Sequence, residues 1–174
     1  MAALMEKLGL GGREMTISGH SKDFVLKVVQ PALIGLMDGS VSTLAPVFAI
    51  AVATKDPRLA FLVGLAAAVG AAMSMGFSEG LSDDGSLTGR GGPMLRGGIT
   101  GAATFVGGIM HTLPFLLPDV GLALYVAFAV VGIELLAISY IRYRYFAMSF
   151  VVSTVQVLVG GTLVFFAGVL IGSA

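Results

Sequence analysis

The chain has 174 residues, 56% of them apolar and 11% charged, and its mean hydropathy is +0.96. Soluble domains carry about 25% charged residues, so this composition excludes an ordinary soluble globule, a disordered chain and a nucleic-acid binder with a basic patch. Ten Lys and Arg balance ten Asp and Glu, and with no Cys there is no disulfide framework, thiolate nucleophile or cysteine zinc site.

Residues 1–30 lack the long apolar run and small-residue cleavage site of a signal peptide, and read as a cytoplasmic tail. Its last part, Lys22–Gln30, sets Phe24, Leu26, Val28 and Val29 among Lys22, Asp23 and Lys27, the pattern of a short interfacial helix. Five stretches then reach the roughly 20 residues that cross a hydrocarbon core of about 30 Å. They are Pro31–Ala53, Leu59–Ser82, Gly97–Pro118, Val120–Ile141 and Phe150–Gly172. The longest connection between them, Asp83–Arg96, is rich in Gly and Asp and reads as a turn-forming linker. The expectation is an all-α integral membrane protein: a five-helix membrane domain over residues 31–174.

Orientation follows from the tails and loops. Lys7, Arg13, Lys22, Lys27, Arg90, Arg96, Arg142 and Arg144 fall on one side, and only Lys55 and Arg58 on the other. That asymmetry predicts a cytoplasmic N-terminus and an outer C-terminus. Gly35/Gly39, Gly76/Gly80, Gly97/Gly101 and Gly168/Gly172 have the G-x-x-x-G spacing of close helix approach, within one chain or between two. An odd number of spans in so short a chain predicts an oligomer, and a two-fold homodimer is the commonest form.

Ionisable groups inside spans are costly unless paired or facing a cavity, so they mark candidate sites. Asp38 lies seven residues in from Pro31, Met75 seven in from Ser82, and Glu134 seven in from Ile141. At about 1.5 Å per residue these share a layer roughly 10 Å below the cytoplasmic surface. Glu79, one turn from Met75, lies nearer the entrance. Two carboxylates with a thioether suit Fe²⁺, Mn²⁺, Co²⁺ or Zn²⁺ better than Ca²⁺ or Mg²⁺, which want oxygen alone. One subunit supplies too few ligands; two subunits at an axis would supply four carboxylates and two thioethers.

Pro46 cannot donate to the Ser42 carbonyl. That carbonyl, with the Ser42 and Thr43 hydroxyls, would either receive an ion from Asp38 or be satisfied by neighbouring helices. His111 reads either as a proton relay or ion-release group or as a hydrogen-bonded structural residue. Glu134 reads as a transport residue or as a partner of Arg142 or of a backbone group that holds the fourth span. No G-x-S-x-G, phosphate loop, H-E-x-x-H or C-x-x-C motif occurs, so no enzyme chemistry is indicated. Transport, a passive channel filtered by Asp38 and a non-transporting structural subunit are the competing functional classes.

The segments LIGLMDGSVSTLAP (Leu33–Pro46) and SMGFSEGLS (Ser74–Ser82) resemble the vacuolar iron transporter family, with its Asp-Gly-x-x-Ser and Ser-Met-x-x-x-Glu patterns. The loop DDGSLTGRGGPMLRG and the ending GGTLVFFAGVLIG are similar to the membrane half of bacterial membrane-bound ferritin proteins. The resemblance implies a homodimer in a bacterial inner membrane that exports Fe²⁺ or Mn²⁺ in exchange for protons. It also implies Asp38, Met75 and Glu79 as pathway ligands, with no permanently bound cofactor and no nucleic-acid partner. Two departures stand out. Asp83–Arg96 is too short for the metal-binding extension of the eukaryotic members, and residues 1–30 are too few for a ferritin-like bundle.

Overall fold

The computed structural model describes residues 22–86 and 88–174. The first twenty-one residues of the expected tail, with Lys7 and Arg13, lie outside the described residues. Five long helices make up the rest, with no strand among the described residues. They are α1 (Lys22–Thr54), α2 (Pro57–Ser82), α3 (Pro93–Met110), α4 (Val120–Phe146) and α5 (Phe150–Ser173). The connections are short, so successive helices run antiparallel. One end of the bundle holds Lys22, Arg90, Arg96 and Arg142 and is called the basic end below.

Four of the helices, all but α3, are long and apolar enough to cross a membrane. They turn large apolar side chains outward: Phe77 is 63% exposed, Leu81 82% and Leu163 67%. In water that would be an aggregation surface, whereas in lipid it carries no cost. The third span expected at Gly97–Pro118 is displaced. Its helix starts at Pro93, stops at Met110, and gives way at Leu113–Leu116 to a 3₁₀ turn around Pro114. Five glycines, two threonines and Arg96 lower its apolarity, because it faces protein on two sides.

Those glycines explain how α3 fits between α1 and α2. A Cβ on Gly35 or Gly39 would collide with the Thr100 or Thr104 carbonyl of α3. A Cβ on Gly97 would lie 2.5 Å from the Gly76 carbonyl, and one on Gly101 2.9 Å from the Ala72 carbonyl of α2. On the far side, Gly168 and Gly172 of α5 abut the Ala45 and Ala49 backbone of α1. All four G-x-x-x-G pairs thus lie in helix contacts within one chain, held by close van der Waals approach.

Local signals set the helix ends. The Asp56 and Asp119 carboxylates accept from the Leu59 and Leu122 amides, capping α2 and α4. Residues Lys22–Val29 do not form a separate helix. They run into α1 through a π-helical stretch, Val25–Val29, with Val25 and Val29 buried. The α1 helix is interrupted once, at Thr43, three residues before Pro46. The Thr43 hydroxyl donates to the Gly39 carbonyl one turn back, a bond that bends helices. Away from the basic end the core closes around Phe48, whose ring meets Phe115, Phe128 and Phe165 edge-on at 6.3, 5.1 and 5.3 Å.

Candidate metal-transport site

The residues singled out by sequence separate into three groups. Asp38 is half-buried on α1, and the Ser42 hydroxyl one turn on is its hydrogen-bond partner. Ser42 is exposed, so this pair faces the outside of the single chain. Met75 is half-buried on α2. Pro46 is half-buried. No hydrogen bond or ion pair joins Asp38 to Glu79, and no three His, Asp or Glu gather where they could hold a metal, among the described residues.

The second group lies inside the bundle. Thr43 follows Ser42 by about 100° around the helix and so turns inward. His111, fully buried at the end of α3, places Nε2 2.8 Å from the Thr43 hydroxyl and Nδ1 3.1 Å from Glu134 Oε2. Glu134 is buried on α4, and its Oε1 has no hydrogen-bond partner. Three helices therefore meet through one Thr–His–Glu chain that could hold or pass a proton. The structure departs here from two expectations. Glu134 pairs with His111, because Arg142 is taken by Gln156 Oε1 at 2.9 Å and the Met148 sulfur at 3.3 Å. The common layer expected for Glu134 and Asp38 also fails as counted, because α4 continues past Ile141 to Phe146, ending with Ala147 in the left-handed region (φ 52°), and α1 begins well before Pro31, at Lys22. Glu134 sits twelve residues from its helix end and Asp38 sixteen, about 18 and 24 Å along the helices.

The third group is at the basic end, where α2 stops and α3 begins. Glu79 Oε1 lies 2.7 Å from Arg90 Nη2 and 3.1 Å from Arg96 Nε. Arg96 is fully buried, and its other nitrogens are spent on Asp83 Oδ1 at 3.0 Å, the Glu79 and Asp83 carbonyls at 3.2 Å and Ser82 Oγ at 3.3 Å. It therefore caps the C-terminal end of α2, where the helix dipole also favours a cation. The hydrogen bond from Arg96 is the chief reason that the Asp83 carboxyl lies below its ordinary value of 3.8. Glu79, expected as a metal ligand guarding an entrance, is thus already balanced by two cations. Sequence reasoning counted Arg90 and Arg96 only as loop charges. The one available signal was an arginine just inside a helix that starts with Pro93, thirteen residues after Asp83.

Residues 29–88 match the model of the VIT family. Comparison with curated proteins and with solved structures finds no match. The matched segment contains Asp38, Met75 and Glu79 together with the Asp-Gly-x-x-Ser and Ser-Met-x-x-x-Glu patterns. The match supports, over residues 29–88, the resemblance to the vacuolar iron transporter family that these patterns carry.

Proposed function

We propose that this multi-pass membrane protein is a homodimer that carries Fe²⁺ or Mn²⁺ out of the cytoplasm in exchange for protons, with all five helices spanning a bacterial inner membrane and the N-terminus inside. The observation that carries the reading is that all three candidate ligands, on two successive helices, fall inside the segment that matches the family of transporters. Members of that family move metal ions and are not enzymes.

In this reading the outward-facing Asp38 of one chain meets its symmetry mate, and two sets of Asp38, Met75 and Glu79 supply successive ligands along the pathway. The Met75 thioether favours transition metals over Ca²⁺ and Mg²⁺. A divalent cation needs deprotonated carboxylates, so metal and proton compete for the same groups, and exchange follows when the site faces one side at a time. The Thr43–His111–Glu134 chain, separate from Asp38, is a place where a proton could be held on the way.

The test uses the full chain in sealed proteoliposomes that enclose a pH dye. Mn²⁺ added outside should enter while protons move the opposite way. Metal entry with no proton movement would replace the exchanger by a channel, and no metal entry would refute transport. Replacing Met75→Ala should let Ca²⁺ inhibit Mn²⁺ uptake; unchanged selectivity would remove the thioether's assigned role.

A further inference from the structure

We propose that Arg90 is a built-in competitor for the metal at Glu79, so that a divalent cation binds there only by displacing the Arg90 guanidinium. The inference rests on the reading of Glu79 as a pathway ligand and adds a residue that sets its affinity and charge selectivity.

The two arginines on Glu79 differ in how they are held. Arg96 is fully buried and fixed by Asp83, Ser82 and two carbonyls as well as Glu79. Arg90 makes one polar contact among the described residues, with Glu79, and its Nε is buried with no hydrogen-bond partner. It stands in the short loop between α2 and α3, between Gly89 (φ 66°) and Gly91 (φ 83°). Both neighbours occupy the left-handed region that glycine adopts without cost. Gly91 also lies against the Lys27 side chain, where a Cβ would be 3.0 Å from Lys27 Cγ. That loop path directs the Arg90 side chain back at the end of α2.

Charge gives the contact its consequence. Glu79, Asp83, Arg90 and Arg96 sum to zero, and the nearby Lys27 ammonium is balanced by Asp23 at 2.6 Å. Without Arg90 the four-residue cluster carries one net negative charge beside a carboxylate that is 12% exposed. A divalent ion interacts with that carboxylate twice as strongly as a monovalent one at equal distance, and so can displace a guanidinium where K⁺ cannot. Arg90 thereby excludes monovalent cations at the entrance while it weakens the binding of every metal.

The experiment measures Mn²⁺ uptake into proteoliposomes by the full chain, its Arg90→Gln, Glu79→Gln and doubly substituted variants, with and without raised K⁺. Arg90→Gln should lower the half-saturating Mn²⁺ concentration about tenfold, the weight of a charge-assisted hydrogen bond, and should make uptake sensitive to K⁺. Arg90→Lys, which keeps the charge and loses the planar fork, should shift it the same way by less. In the Glu79→Gln background Arg90→Gln should have no further effect. Impaired uptake in Glu79→Gln, with half-saturation unchanged or raised in both Arg90→Gln and Arg90→Lys, would overturn the proposal and leave Glu79 a ligand. Wild-type uptake in Glu79→Gln would instead refute the ligand reading beneath it.

Discussion

Replacing Arg96 with Met removes a fully buried cation while nearly keeping its length and volume. The wild-type side chain has an ion-pair contact with Glu79 and hydrogen bonds to Asp83, Ser82 and two carbonyls that end α2. Breaking a buried ion pair by deleting one partner costs about 3–5 kcal/mol, because the other partner keeps its desolvation cost. Here Glu79 retains Arg90, and Asp83 is a quarter exposed and can recruit water, so the lower end applies. The expected loss is about 3 kcal/mol for Arg96→Met. Arg96→Lys preserves charge but cannot make the forked contacts, so about half that loss is expected. Reversible unfolding of purified protein in mixed detergent micelles, with denaturing detergent as titrant, measures both. A change below about 1 kcal/mol for Arg96→Met would mean that this cluster is not what joins α2 to α3.

Gly39→Val should destabilise the fold by about 2 kcal/mol or more, since its Cβ would collide with the Thr104 carbonyl, whereas Gly98→Ala, with open space around its Cβ, should be neutral or gain up to about 1 kcal/mol; the same titration separates them. Glu134→Ala should unfold more readily than Glu134→Gln, which can still hydrogen-bond His111, and equal losses would show that the pairing contributes nothing. The Asp83 carboxyl is held below 3.8 first by the hydrogen bond from Arg96, so it contributes stability that is fully present above about pH 4 and fades as pH falls through its folded value. Asp83→Asn should flatten that acid limb of the unfolding midpoint, and an unchanged limb would assign it to other groups.

The long apolar helices were legible in the sequence because hydropathy in lipid depends on local composition. Positions of α1, α2, α4 and α5 follow the expected spans to within a few residues, apart from the two helix extensions at Lys22 and Phe146. The spacing of the glycines was legible too, but their partners were not, since G-x-x-x-G states that something approaches closely without saying what. The helix α3 misled for a related reason: its apolar residues are diluted by the glycines that let α1 and α2 close on it. Among site residues, Asp38 and Ser42 stand one turn apart as their spacing required. The separation of Thr43 from Ser42 onto an inward face was also implicit in helical geometry, though the two were read as one hydroxyl pair. The pairing of His111 with Glu134 depends on where α3 stops and α4 ends, and neither boundary has a strong local signal. The arginines on Glu79 arise from a loop folding back on its own helix, a tertiary event that charge counting could not register.

The central claim is that Asp38 is the ligand at which metal and protons exchange. It is tested most directly by adding Mn²⁺ outside dye-loaded proteoliposomes that hold either the wild-type chain or Asp38→Ala, both shown to elute alike. The account predicts metal entry with opposite proton movement in the wild type and loss of both in the variant. Equal metal and proton fluxes in the two proteins would contradict it.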